Sequence, residues 1–216
     1  MDEDEAVEIV DEYLKEKSLG EVYDLVLIPA LALAERDRHQ DRLDEERERF
    51  IYQSTRELIQ ELGERPEFSI TSEPAARVAS QLSIRCLPAR DGADELVGVM
   101  LAQLLRRSGY DAEALSLGRV DDMLDHLANA SPDVLFISAL PPFAVTHARS
   151  VCRRARQRWP GLKIAIGLWN SGAELDKAKQ RLGPDCSDCV MTTLAQAESQ
   201  ARVFEGAMPT AEATKT

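Results

Sequence analysis

The sequence predicts an α/β protein: a five-stranded doubly wound parallel sheet domain preceded by a small helical bundle. From residue 81 onwards, short apolar runs alternate with amphipathic segments, which is the pattern of repeated β-α units. The run 133–138 is apolar almost throughout and suits a strand buried on both faces of a parallel sheet. Before residue 64, apolar residues recur at helical spacing, which predicts helices that pack against one another.

Three amphipathic segments predict the bundle. They cover residues 2–17, 18–38 and 44–62. Ser18 and Glu21 have the spacing of a capping box, which opens the second helix. Pro29 lies inside that helix and is expected to bend it, because its ring removes one backbone hydrogen bond. Gly63 is expected to end the third helix.

The sheet domain is predicted to contain five strands, each followed by a helix. The strands cover residues 82–87, 112–117, 133–138, 162–167 and 189–192. The first helix ends before Gly109, and the next three cover residues 120–129, 143–158 and 173–182. Thr193 and Gln196 form a second capping-box pattern, which opens the last helix. Ligands of such sheets bind beyond the carboxyl ends of the strands, so any chemistry is expected in the loop 88–94 and its neighbours.

These elements divide the chain into four parts. The predicted parts are a helical bundle (1–63), a proline-containing linker (64–80), a doubly wound α/β domain (81–205) and a disordered tail (206–216).

The charge of the chain argues against nucleic acid as a partner. The formal net charge is −12 and the sequence pI is about 4.8, whereas contact with phosphates needs a basic face. Five arginines between residues 149 and 158 are the exception, and we interpret them as the solvated face of a helix rather than as an anion site. No apolar run approaches the length of a membrane span, so we expect a cytoplasmic protein.

The sequence offers little for metal binding or catalysis. The four cysteines are predicted to be free thiols, and the CxxC spacing of Cys186 and Cys189 lacks the second pair that a zinc site needs. His39, His126 and His147 have no partners at a spacing typical of a metal site or catalytic dyad.

The strand-end loops bring no nucleophile together with a base, and we therefore expect no enzymatic activity. Asp91 is placed to cap the helix after the first strand, and the helix dipole favours Asp94 in its first turn.

The order of elements and three stretches resemble the cobalamin-binding module of methionine synthase, of corrinoid methyltransferase proteins and of light-sensing MerR-type regulators. Residues 18–31, SLGEVYDLVLIPAL, are similar to the second bundle helix of that family. Residues 101–110, LAQLLRRSGY, are similar to the helix after its first strand, and residues 138–140 match its S-x-L motif. The resemblance covers nearly the whole chain and implies the family's combination of helical bundle and sheet domain.

The motif through which that family ligates cobalt is changed in this chain. The family's D-x-H-x-x-G motif supplies a histidine to the metal, and Gly92, Asp94 and Val97 stand at its three marked positions. A carboxylate is a poor axial ligand for cobalt, and Val97 adds bulk where the family keeps glycine.

The family's motifs around the rest of the cofactor are changed as well. The W-x9-E-H motif of the light-sensing regulators corresponds to Arg38, Glu48 and Arg49, so arginine replaces both its tryptophan and its histidine. The G-G that passes the nucleotide tail corresponds to Gly167 and Leu168. We therefore expect the fold without the cofactor.

From these changes we expect a non-catalytic regulatory module that senses a small ligand or holds subunits together. A ligand smaller than cobalamin is expected where backbone and hydroxyl groups converge at the strand ends. The candidate residues are Ser138, Leu140, Gly167, Asn170, Thr192 and Thr193. Ser138 equally suits the polar end of a buried strand. The alternative function is a true corrinoid protein, a sensor or methyl carrier, in which the cofactor's own base ligates the cobalt.

A second resemblance concerns the bundle. Residues 27–39 and 47–62 are similar to the cytosolic C-terminal region of bacterial permeases of the autoinducer-2 exporter family. This similarity implies that the chain is the tail of such a permease, held at the inner face of the membrane. The bundle also lacks one of the four helices usual in the cobalamin module, so we expect an uncovered apolar stripe and a homodimer through residues 2–62.

Overall fold

The computed structural model describes residues 3–65, 80, 82–171 and 175–207 of the 216-residue chain, and residues 3–6 by their backbone alone. Its helices are α1 (Glu3–Leu14), α2 (Leu19–Val22), α3 (Ile28–His39), α4 (Glu45–Glu64), α5 (Gly92–Arg107), α6 (Val120–Ala130), α7 (Ala144–Arg158), α8 (Leu175–Leu182) and α9 (Leu194–Ala207). A π-helical segment, Tyr23–Leu27, joins α2 to α3. Its strands are β1 (Ser83–Pro88), β2 (Asp111–Ala114), β3 (Val134–Ala139), β4 (Lys163–Leu168) and β5 (Cys189–Met191).

The five strands form one parallel sheet in the order β2-β1-β3-β4-β5. In this doubly wound order the direction of winding reverses between β1 and β3, and folds of this kind bind ligands beyond the carboxyl ends of the strands at such a point. The predicted fold class is therefore confirmed. The register aligns Ser138 with Pro88 on one side and with Gly167 on the other, so three strands end at the same level.

Most element ends lie one to three residues from their predicted positions, and two of these differences concern specific expectations. Strand β2 was expected to continue to residue 117 but ends at Ala114, because it is an edge strand that leaves the sheet after the hydrogen bond from the Leu115 N–H to the Cys86 carbonyl. Gly63 does not end α4, which continues to Glu64. End shifts of a residue or two are normal, since terminal turns fray.

The capping box at the start of α2 is confirmed. The Ser18 hydroxyl accepts from the Glu21 N–H at 3.3 Å, and the Glu21 carboxylate accepts from the Ser18 N–H at 2.9 Å. Pro29 lies in the first turn of α3, where a missing N–H is tolerated. The irregularity that we expected as a bend at Pro29 is instead the π-helical turn directly before it.

Apolar side chains form two cores, one on each face of the sheet. The first lies between the sheet, α5, α9 and the bundle helices, and it includes Tyr23, Leu62 and Leu101. The second lies under α6, α7 and α8. The bundle therefore buries its apolar face on the sheet domain as well as on itself.

Part of the predicted domain division falls outside the described residues, namely most of the linker (66–79) and the tail beyond residue 207. The boundaries 1–63, 64–80, 81–205 and 206–216 therefore stay a prediction. No helix in the described part of the chain has both the length and the apolar character needed to cross a membrane.

The second predicted capping box forms only in part. The Thr193 hydroxyl accepts from the Gln196 N–H at 3.2 Å, but the Gln196 side chain accepts from the N–H of Thr192 at 2.9 Å rather than from that of Thr193. The N–H groups of Leu194 and Ala195, at the start of α9, are bonded by a different acceptor.

Asp24, in the π-helical segment of the bundle, is that acceptor. Its carboxylate accepts from the Leu194 N–H at 2.7 Å and from the Ala195 N–H at 3.2 Å. Burial raises the pKa of Asp24, and the two N–H groups oppose that shift. A bundle side chain thus caps the last helix of the sheet domain.

We predict that Asp24→Ala lowers the free energy of unfolding by about 1–2 kcal/mol, because two N–H groups at the start of α9 lose their acceptor. Urea denaturation followed by circular dichroism measures this change. Asp185→Ala is the control, since Asp185 is exposed and its replacement should change stability by less than about 0.5 kcal/mol. Equal losses for the two variants would show that the cap does not contribute.

Candidate functional site at the carboxyl edge of the sheet

The carboxyl ends of β1, β3 and β4 meet the bundle helices α3 and α4, and buried polar groups collect at this junction. Glu35, Asp94 and Ser138, which lie there, are three of the four buried polar side chains among the described residues. Burial of a polar group costs free energy unless the group is hydrogen-bonded. A cluster of such groups beside a strand-end crevice is therefore the first candidate for a site.

A chain of hydrogen bonds ties the three strand-end loops together. The Trp169 indole N–H donates to the Ser138 hydroxyl at 2.8 Å, and that hydroxyl donates to the main-chain carbonyl of Asp94 at 2.7 Å. The Asp94 carboxylate accepts from the Leu140 N–H at 2.6 Å. Because these residues belong to the ends of β3 and β4 and to the start of α5, the three loops hold one another in place.

Trp169 also fills space at the edge of the sheet. Its side chain is fully buried. The indole packs so closely on Gly167 that a β-carbon at that position would lie 2.0 Å from the ring. Gly167 and Trp169 therefore form one packing unit, in which any larger residue at position 167 would displace the indole.

Arg38 joins the bundle to the loop between β1 and α5. Its guanidinium lies 2.5 Å from Glu35, 3.4 Å from Glu48 and 3.2 Å from Asp91. The hydroxyl of Tyr52 donates to Glu35, which is only 2% exposed. The guanidinium thus donates charge-assisted hydrogen bonds to Glu35 and Asp91 and forms an ion pair with Glu48.

Helix α4 covers the loop in which the sequence predicted chemistry. The Tyr52 ring lies against Gly92, where a β-carbon would be 3.0 Å from it. One turn further along α4, Arg56 pairs with Glu95 at 2.9 Å. These contacts hold α4 over the first turn of α5.

The two aspartates of this loop titrate abnormally. Burial raises the pKa of Asp94 well above its ordinary range, and the nearby Asp91 carboxylate raises it further, against the N–H groups of Leu140 and Arg90. Burial, followed by the Glu35 carboxylate, raises the pKa of Asp91 to about 6 and outweighs Arg38. The loop can therefore retain protons that exposed carboxyl groups would lose.

Two histidines and an exposed aromatic ring form the rim of the site. Phe143 is 61% exposed and has a φ of 66°, a left-handed conformation that is rare outside glycine. Its ring lies edge-on to His39 at 5.6 Å, and Arg90 contacts His147 at 3.1 Å. Burial lowers the pKa of both histidines, and the adjacent arginine lowers it further, so the neutral imidazoles are favoured.

Most positions of the changed cofactor motifs come together here. The four that lie in or beside the cluster are Arg38, Glu48, Gly92 and Asp94. Arg49 is exposed on α4 instead, and Val97 is fully buried in the first core.

The six predicted ligand residues divide into two groups. One group is buried in the contacts described above: Ser138, Leu140 and Gly167. The other group is Asn170, Thr192 and Thr193, which keep some exposure and are linked by the hydrogen bond from the Asn170 N–H to the Thr192 carbonyl at 3.3 Å. Ser138 is buried at the end of β3, where its hydroxyl accepts from Trp169 and donates to the Asp94 carbonyl.

Sequence reasoning missed three residues that organise this junction: Glu35, Tyr52 and Trp169. Glu35 had a usable signal, because it follows Leu31 by four residues and so places an acid on the apolar face of α3. Trp169 had a weaker one, as a large aromatic residue directly after a buried strand. Nothing in the sequence marks Tyr52, since its partner Glu35 lies on another helix.

Within the described residues, no three or more histidine, cysteine, aspartate or glutamate side chains are arranged to hold a metal ion. All four cysteines are free thiols, as predicted. Cys189 begins β5, which agrees with the interpretation of the CxxC spacing as part of a strand boundary.

Comparison with known proteins gives the fold some context. No protein-family model matches the chain, and no curated protein is significantly similar to it in sequence. A cobalamin-binding protein from Desulfitobacterium hafniense DCB-2 superposes with a TM-score of 0.47 and 16% identity, over 94% of this chain and 92% of that one. The methanol:cobalamin methyltransferase complex from Methanosarcina barkeri gives a TM-score of 0.47 and 18% identity, over 96% and 76%. Because both TM-scores are below 0.5, we assign the fold from the strand order and helical layers of this chain.

We predict that Asp91 destabilises the protein as the pH rises from about 4 to about 6. Its pKa is raised in the folded state, so the unfolded chain releases this proton first and stability is lost over that window. Relative to Asp91→Asn, which keeps the helix cap, the wild type should lose about 1–3 kcal/mol across the window. Urea titrations at a series of pH values measure the difference.

Asp188→Asn is the matched control for that titration. Burial acts to raise the pKa of Asp188, but the Ile164 N–H and Arg156 outweigh it, so the net pKa is lowered. Its contribution is therefore lost only at more acidic pH, and the difference from wild type should stay level between about pH 4 and 6. Parallel curves for wild type and Asp91→Asn would contradict the raised pKa.

Proposed function

We propose that this chain is a non-catalytic regulatory module with a cobalamin-binding-like fold whose crevice is closed by its own side chains. The observation that carries the proposal is the placement of Trp169, which fills the sheet edge between the loops after β3 and β4. A module of this kind acts by holding subunits together or by responding to a smaller ligand.

The residue at the cobalt-ligating position does not fit that role. Asp94 is 3% exposed, and its carboxylate accepts the Leu140 N–H inside the protein. A metal ligand must present its electron pair to the cofactor, and this carboxylate is committed to an internal contact.

The residues along the path of the nucleotide tail do not fit either. Trp169 covers the open face of Gly167, and Leu168 is fully buried in the second core. Displacing the indole would leave a void and break its hydrogen bond to Ser138. At the cap position, Arg38 is engaged with carboxylates on three sides.

We predict that the purified protein does not retain cobalamin. The test mixes it with hydroxo-, methyl- and adenosylcobalamin, passes each mixture over a desalting column and records the visible spectrum. The cobalamin-binding protein from Desulfitobacterium hafniense, treated identically, is the positive control. A stoichiometric corrinoid band that elutes with this protein would favour the alternative, a base-on corrinoid sensor or methyl carrier.

The subunit-holding part of the proposal rests on exposed apolar side chains of the bundle. Five large apolar side chains on bundle helices are exposed: Ile9, Tyr13, Leu25, Leu33 and Phe50. Exposed apolar surface concentrated on one part of a molecule is typical of an interface. We therefore infer a homodimer through the bundle, with a twofold axis as the commonest arrangement.

We predict a dimer in light scattering coupled to gel filtration, and a monomer for the double variant Leu25→Glu/Leu33→Glu. Leu25 and Leu33 are 58% and 54% exposed, so glutamate there should leave the fold intact while charging the interface. Leu117→Glu is the control, because Leu117 is 41% exposed outside the bundle. A monomeric wild type at high concentration would remove this part of the proposal.

The similarity of residues 27–39 and 47–62 to permease tails supports a location for such a dimer. In this proposal the module is the cytosolic tail of a membrane permease and brings the membrane parts together at the inner face. The residues similar to permease tails and the exposed apolar side chains both lie in the bundle.

A further inference from the structure

The arginines of α7 fall into two groups with different partners. Arg154, Arg156 and Arg158 each pair with an aspartate, through contacts to Asp121 at 3.1 Å, to Asp188 at 2.9 Å and to Asp125. These pairs agree with the expectation of a solvated helix face. The other two arginines of α7, Arg149 and Arg153, form no such pair among the described residues.

Arg149 and Arg153 lie one helical turn apart and line a groove of about 450 Å³ with Arg181 of α8. None of these three has an ion-pair partner among the described residues. The Nε atom of Arg149 is buried and has no hydrogen-bond acceptor in the described part of the chain. The rest of the groove is lined by Val145, Thr146, Ser150, Arg154 and Gln157.

Three arginines in one groove without a carboxylate partner among the described residues are unexpected in a chain with a formal net charge of −12. Like charges one turn apart on a helix repel each other, and a buried N–H without an acceptor is unfavourable. A bound anion would reduce the repulsion between the arginines and would supply acceptors for their N–H groups. Guanidinium groups bind phosphate oxygens through paired, charge-assisted hydrogen bonds, and hydroxyl and amide groups in the same wall add further donors.

We propose that the groove lined by Arg149, Arg153 and Arg181 binds a phosphate group, carried either by a small soluble molecule or by a lipid headgroup. Its volume suits a compact ligand. It lies on the α7–α8 layer, on the opposite face of the sheet from the bundle, so it is independent of the crevice and of the proposed dimer interface.

The test measures binding of pyrophosphate by calorimetry and binding to phosphatidylcholine vesicles with and without phosphatidic acid, at constant ionic strength. Arg153→Gln/Arg181→Gln should weaken binding about tenfold or more, because two charge-assisted contacts are lost. Arg158→Gln is the control, since it also removes an arginine charge from α7 but that arginine pairs with Asp125 outside the groove. It should bind nearly as well as the wild type.

Groove-dependent binding of pyrophosphate supports a soluble phosphate ligand, and groove-dependent binding of phosphatidic acid vesicles alone supports a lipid headgroup. Absence of binding to both probes overturns the proposal. An equal loss in Arg158→Gln also overturns it, since the attraction would then come from overall charge.

Discussion

The hydrogen-bonded chain from Trp169 through Ser138 to Asp94 is the interaction on which the site depends. It connects the loops after β3 and β4 to the start of α5, beside the bundle helices α3 and α4. Each buried polar member has a partner, which is why a tryptophan N–H, a hydroxyl and a carboxylate can share an apolar setting.

Residues that match the cobalamin-module pattern take part in these hydrogen bonds and in the packing around them. Ser138, from the S-x-L motif, relays a hydrogen bond between two loops, and the Leu140 N–H is bound by Asp94. Gly167 remains small because an indole lies on it. A match to a motif at these positions therefore indicates the fold. The hydrogen bonds within the protein determine whether a donor or acceptor remains free to bind a ligand.

Charge is distributed unevenly between the two faces of the sheet. At the junction with the bundle, carboxylates outnumber cations, and burial together with the neighbouring carboxylates raises the pKa values of Asp91 and Asp94. On the α7–α8 layer, arginines outnumber the carboxylates within reach. The net charge of −12 does not predict the local balance of charges in either region. Electrostatic effects at short range depend on the nearest charged groups and on their burial.

The sequence by itself determined the fold class, the order of the elements and the helix cap at Ser18, because periodicity and capping act between residues close in the chain. Only the tertiary structure decided that Trp169 donates a hydrogen bond to Ser138, that Glu35 meets Tyr52, and that the Arg149 Nε atom has no acceptor among the described residues. These contacts join residues from different elements, and their geometry is set by how helices pack on the sheet, which no local pattern encodes.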